Sequence, residues 1–113
     1  MAVAVYAKTI ERIEEQAALS HDDVARIVGT SPRSVSRWAS GATGPRARAR
    51  DRLLEVAAVV NELSRSLTPE AAHIWLHAPN PFLDFDRPLD VLAQGDFRRV
   101  LAAIEAIRDG VFV

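Results

Sequence analysis

His21-Asp22-Asp23-Val24-Ala25-Arg26-Ile27-Val28-Gly29-Thr30-Ser31-Pro32-Arg33-Ser34-Val35-Ser36-Arg37-Trp38-Ala39-Ser40 holds a helix, a stop and a second helix start in immediate succession. Ser20 precedes it with Asp23 three residues on, the spacing of an N-cap hydroxyl and an acid in the first helical turn. Val24, Ile27 and Val28 recur at helical spacing, and Gly29 ends the run where a positive φ is needed. Ser31 is placed to cap the next helix, and Pro32 takes its first position, where a missing N–H costs nothing. Ala25 is small where two helices would cross, and Val35 and Trp38 bury the second helix against the first. Two short helices thus flank a tight turn, the second running to about Ser40 ahead of Gly41.

Helical periodicity continues outward in both directions without a convincing alternating strand, so the expected fold is all-α. Upstream, a helix from about Val3 to Leu19 places Ile10, Ile13 and Ala17 on one stripe, with Glu11, Glu14 and Glu15 outside it. Downstream, Gly41 to Pro45 reads as a loop and Arg46 to Ser66 as the longest helix. Its Leu53, Val56, Val60, Leu63 and Leu67 step by three and four, a seam that serves either as core or as a dimer contact. Thr68 and Pro69 cap a helix carrying Ile74, Trp75 and Leu76, which Pro79-Asn80-Pro81 ends. Phe82 to Pro88 is expected to be a loop anchored by Phe82, Leu83 and Phe85. A short helix from Pro88 to Ala93 follows, then an amphipathic one from Asp96 to Asp109 closed by Gly110 at the C′ position.

The chain has 113 residues, 49% of them apolar, which suits one small globular unit or two small subdomains. It has no cysteine, so disulfides, thiol nucleophiles and Cys-based zinc sites are excluded, and a cytoplasmic location is the expectation. No apolar run is long enough to cross a membrane, and the first residues lack a signal peptide's basic start. The net charge of −1 is a cancellation. From Ser31 to Arg52 six arginines meet a single acid, giving +5; from Leu67 to Val113 four arginines meet seven acids, giving −3. The boundary falls near Ser66 to Pro69 and divides residues 1–66, with the long linking helix, from residues 67–113.

Ala25, Gly29, Val35 and Trp38, spaced four, six and three apart, together with Val35-Ser36-Arg37-Trp38 and Gly41, resemble the Xre-like helix-turn-helix of phage repressors. That resemblance implies operator DNA as a partner. With Val35 and Trp38 inward, the face left for the major groove carries Arg33, Ser34, Ser36 and Arg37, with Ser31 near a phosphate at the helix N-terminus. Arg33 and Arg37 are assigned to base edges, and Arg46, Arg48 and Arg50 to backbone phosphate. The competing reading is a solvated arginine face on a helix pair that only packs.

In the second half, Trp75, Pro79-Asn80, Leu83, Pro88-Leu89-Asp90-Val91-Leu92, Gly95 and the Gly110-Val111-Phe112-Val113 ending resemble the toxin-binding domain of the Xre/MbcA/ParS antitoxin family. With the first half included, the resemblance spans nearly the whole chain. It implies a helix-turn-helix bundle followed by a small helical toxin-binding domain, a RES-domain toxin that consumes NAD as partner, and repression of the shared operon. On this reading Val111, Phe112 and Val113, with the terminal carboxylate, dock at or beside the toxin's NAD pocket. An apolar tail gains about 25 cal/mol per Å² on burial, whether against a toxin or back on its own last helices. Asp84, Asp86, Arg98 and Arg99 are further toxin-contact candidates. Trp75 is read as core, and Pro79 and Asn80 as turn-setting residues. A homodimer is expected.

Enzyme chemistry finds little support. His73 and His77 are four apart, the spacing of a shared metal, but Ile74 stands where the zincin glutamate would be and His21 is remote. Asp84, Asp86 and Asp90 lack the glycine and closing glutamate of a calcium loop. There is no nucleophile elbow, phosphate loop or Rossmann glycine set, so no catalytic residue, metal or cofactor is assigned. A stand-alone transcriptional regulator, and an inhibitor with a vestigial DNA-binding half, remain as alternatives.

Overall fold

A computed structural model describes residues 2–110, and among them there are seven α-helices, one 3-10 turn and no strand. They are α1 (Ala2–Ala17), α2 (His21–Val28), α3 (Pro32–Ala39), α4 (Ala47–Ser64), α5 (Pro69–His77), the 3-10 turn Pro81–Leu83, α6 (Pro88–Ala93) and α7 (Phe97–Arg108). Val111, Phe112 and Val113 lie outside the described residues.

The helix ends follow from local chemistry. At α2, Ser20 Oγ accepts the Asp23 N–H at 3.1 Å and the Asp23 carboxylate accepts the Ser20 N–H at 3.3 Å, a complete capping box. Gly29 closes α2 at φ 83°, and its N–H donates to the Ala25 carbonyl. Ser31 caps α3 through the Ser34 N–H at 3.1 Å, with Pro32 in its first turn. Thr68 and Asp96 cap α5 and α7 in the same way.

Ile10, Ile13 and Ala17 of α1, Val24 and Ile27 of α2 and Val35 of α3 are sealed from solvent together. Leu53, Val56, Val60 and Leu63 of α4 are also fully buried within the chain, so the heptad-like seam is core rather than a dimer contact. The same apolar cluster continues past residue 66 through Ala72, Leu76, Leu83, Leu89, Leu92, Val100 and Ile104. α1 packs against α3, α4 and α5, α2 against α6, and α4 against α7, so the early helices form a cradle for the later ones.

Four apolar residues are less buried than their character suggests. Phe82 and Phe85 do not anchor their loop: they are 49% and 70% exposed, while Leu83 alone is buried. Ile74 is 67% exposed, because α5 turns Ala72 and Leu76 inward and leaves residue 74 on the opposite side. Trp75, read as core, is only partly buried against it.

Candidate functional site

The first candidate surface is the outer side of α3 with the start of α4. Val35 and Trp38, at 0% and 6% exposure, fix the rotation of α3 and leave Arg33, Ser36 and Arg37 exposed and Ser34 half-buried. Ser31 is exposed, but its hydroxyl already accepts the Ser34 N–H and lies 3.1 Å from Ser34 Oγ, so its chemistry is committed to the cap. Arg46, Arg48 and Arg50 are exposed where α4 begins. Among the described residues, Arg33, Arg37, Arg46 and Arg48 enter no ion pair, and Arg50 has only Asp51 at 4.0 Å. The fold thus leaves these arginine side chains exposed without neutralising them.

Arg52 behaves differently. Its Nη1 donates to the carbonyls of Ile27 at 3.1 Å and Ala93 at 3.2 Å, and lies 3.5 Å from that of Leu92. These carbonyls sit at the C-terminal ends of α2 and α6, where the helix dipole favours a cation. Arg52 therefore ties three helices together and is withdrawn from the basic surface. Gly95 follows α6 at φ 89°, a left-handed backbone that favours glycine, and a Cβ there would come 2.9 Å from Arg52 Nη2 and make the guanidinium shift. Arg52 was legible in the sequence only as one more positive charge.

The second candidate surface is the loop after α5. Asn80 is 3% exposed and organises it. Its Oδ1 accepts the Phe82 N–H at 2.9 Å, its carbonyl accepts the N–H groups of Leu83 and Phe85 at 2.9 Å each, and its own N–H donates to Asp86 at 3.1 Å. Asp84 and Phe85 consequently adopt left-handed backbones, φ 54° and 67°. Such a conformation costs a bulky residue about 1–3 kcal/mol and persists only where its surroundings impose it. The result is two phenylalanine rings held outward on a rigid turn.

The acids around this loop are largely engaged within the chain. Asp84, almost fully exposed, faces Arg99 at 3.6 Å, so two of the proposed toxin contacts face each other. Asp90 receives a forked contact from Arg87 at 2.8 and 2.9 Å and lies 2.6 Å from Arg26 of α2. The hydrogen bond from Arg87 holds the Asp90 carboxyl below the usual carboxylate range, with the charges of Arg26 and Arg87 adding to it against partial burial. Asp86 and Arg98 are exposed and enter no ion pair among the described residues. The histidine pair also gains a neighbour that its spacing did not suggest: Asp23, from the start of α2, lies beside His73 and His77.

Comparison with known proteins defines the class first. Residues 56–110 match the family described as the antitoxin Xre/MbcA/ParS C-terminal toxin-binding domain. Over all 113 residues the chain is 39% identical to the mycobacterial cidal antitoxin MbcA of Mycobacterium tuberculosis, and equally to that of Mycobacterium bovis, each covered over its full length. The chain belongs to the Xre/MbcA/ParS antitoxin family, whose named members here are antitoxins and not enzymes. Its fold is similar to a chain in the crystal structure of the M. tuberculosis MbcT–MbcA toxin–antitoxin complex, with a TM-score of 0.83 and 38% identity over 95% of this chain and 96% of that one. No helix among the described residues is long and apolar enough to cross a membrane.

Proposed function

We propose that this protein is the antitoxin of a two-component toxin–antitoxin pair: it binds a RES-domain, NAD-consuming toxin at or near its active site and represses their shared operon. The observation that carries this reading is the full-length similarity to MbcA, a relative solved together with a toxin. Residues 67–113 provide the toxin-binding region in this reading. Phe82 and Phe85 supply its apolar contact, since rings held outward by a strained loop gain most when a partner covers them. Asp84, Asp86, Arg98 and Arg99 lie around or near that contact. Val111, Phe112 and Val113 dock at or beside the toxin's NAD pocket in this reading, which deletion of the three residues tests directly.

Residues 1–66 provide the DNA-binding region. α2 and α3 act as a helix-turn-helix: Arg33 and Arg37 read base edges, Ser34 and Ser36 lie between them, Ser31 sits at the phosphate-facing helix end, and Arg46, Arg48 and Arg50 bind backbone. A homodimer would present two such helices to a two-fold operator, and the α1–α4 face with exposed Val5 and Leu54 offers the apolar surface for it. The deciding experiment is co-expression with a RES-domain toxin encoded beside the gene, scored by growth and cellular NAD. Rescue of both is expected, and failure of rescue with both proteins present overturns the antitoxin reading.

A further inference from the structure

His73, His77 and Asp23 converge although 50 residues separate Asp23 from His73 in the chain. Their nearest ligand atoms all lie within 4.8 Å of one another, and all three residues are half-buried. The histidine rings stack with centroids 4.1 Å apart and planes 30° from parallel. His73 Nδ1 lies 3.0 Å from the carbonyl of Ala18, and His77 Nδ1 lies 2.7 Å from the carbonyl of His73. A carbonyl oxygen can only accept, so each Nδ1 carries the hydrogen, and in the neutral form of each ring Nε2 is the nitrogen with a free lone pair. Such a backbone hydrogen bond is how metal-ligating histidines are usually oriented.

The Nε2 of His77 stands 3.5 Å from Asp23 Oδ1. With Nδ1 protonated, this places a nitrogen lone pair opposite a carboxylate oxygen, and the contact is attractive only if something positive lies between them. A proton on Nε2 would serve, and so would a metal ion. The Nε2 lone pair of His73 and its carbonyl-oriented ring have no role in a simple His77–Asp23 ion pair, but both fit a three-donor site.

We propose that Asp23, His73 and His77 bind a divalent transition-metal ion, with zinc the best match to two imidazoles and a carboxylate. Tetrahedral ligands at about 2.0–2.2 Å from zinc stand roughly 3.3 Å from one another. His77 and Asp23 are already near that separation, and the His73 donor, within 4.8 Å of both, has to move inward by about an ångström to close the set. Three protein donors leave the fourth position to water. The ion clips the first turn of α2 to the last turns of α5, joining the helix pair that carries the arginine face to the half that carries the phenylalanine loop.

The test uses the untagged full-length chain, stripped with chelator and titrated calorimetrically with zinc, with cobalt as a spectroscopic probe. One ion per chain is expected, with visible cobalt absorption of low-coordinate type and a thermal midpoint raised by several degrees at saturation. His73→Gln, His77→Gln and Asp23→Asn are each expected to weaken binding at least about tenfold. Asp23→Asn keeps an oxygen acceptor for the Ser20 N–H, so the α2 cap survives and circular dichroism stays helical. His21→Gln, which removes the neighbouring histidine paired with Glu14, is expected to leave binding unchanged. Zinc binding that survives all three substitutions, or that is lost with His21→Gln, overturns the site. So does a wild-type affinity weaker than millimolar, which would assign the His77–Asp23 contact to a proton alone.

Discussion

The arginine face of α3 and the loop and helix from Asn80 to Ala93 both carry many charges, yet the fold treats them in opposite ways. On α3 and the start of α4, Arg33, Arg37, Arg46 and Arg48 stand outside any ion pair among the described residues. In the second region Asp90 is held by Arg87 and Arg26, and Asp84 faces Arg99. A charge count of +5 against −3 therefore misstates what each region offers. The basic region leaves its charge uncompensated. The acidic one satisfies much of its own and presents phenylalanine instead, so its partner surface is expected to be more apolar than basic.

The comparison breaks first if the arginines are inert. Arg33→Ala with Arg37→Ala is expected to weaken operator binding by about 30-fold to 10⁴-fold, as two lost base contacts of about 1–3 kcal/mol each would. Arg48→Ala should lower affinity modestly for all sequences and flatten the salt dependence by about one unit. Mobility-shift titrations over a salt series measure both. If the double variant binds as the wild type does, the face is only solvated.

In the second region the expected order is rings before charges. Phe82→Ser with Phe85→Ser should cost about 2–4 kcal/mol of toxin affinity, the loss expected when aromatic anchors are removed from an interface, while leaving the melting temperature nearly unchanged because both rings are already exposed. Asp84→Asn should cost under about 1 kcal/mol, since its pair with Arg99 is on the surface. A larger effect from Asp84 than from the rings would reverse the assignment.

Arg52 sharpens the contrast inside one run of arginines. Arg52→Met is expected to lower stability by about 2 kcal/mol, because carbonyls at the ends of α2 and α6 lose their donor. Arg50→Met, two residues earlier and exposed, should change it by less than about 0.5 kcal/mol. Gly95→Ala should resemble Arg52→Met in direction, through its left-handed backbone and its approach to the same guanidinium. Urea titrations of the three variants measure this directly.

The smallest expected effect is on acid stability. Asp90 has its carboxyl held below the ordinary range in the folded state, so its stabilising contribution is fully present above the unfolded carboxylate pKa. It is lost as pH falls through the lower folded value. A denaturation series from neutral pH to below about pH 4 should show Asp90→Asn converging with wild type at the acid end. The difference at neutral pH is expected to be about 1 kcal/mol or less, because the pair is partly solvated.

Much of the fold was legible in the sequence because its signals are local. Ser20 with Asp23, Ser31 with Pro32, Thr68 with Pro69, and Gly29 and Gly110 act on backbone groups within a few residues, and helix boundaries follow from them. The inward face of α3 was legible for the same reason: Val35 and Trp38 sit three apart, and a helix can bury them together only one way. The exposure of Phe82 and Phe85 was not legible. An apolar residue in a loop is ordinarily drawn inward, and only the Asn80 hydrogen bonds, which need the buried setting of α5 and the loop, turn those rings out.

By itself, then, the sequence determined which segments are helices, where they stop and which stripe of each is apolar, since propensity, capping and periodicity all act over one or two turns. The tertiary structure decided which charges remain available. Arg52 reaches Ile27 and Ala93, Arg26 reaches Asp90, and Asp23 reaches His73 and His77 only after the helices pack. Electrostatic partnership depends on distance in space rather than along the chain, and that distance is set by the shared apolar core.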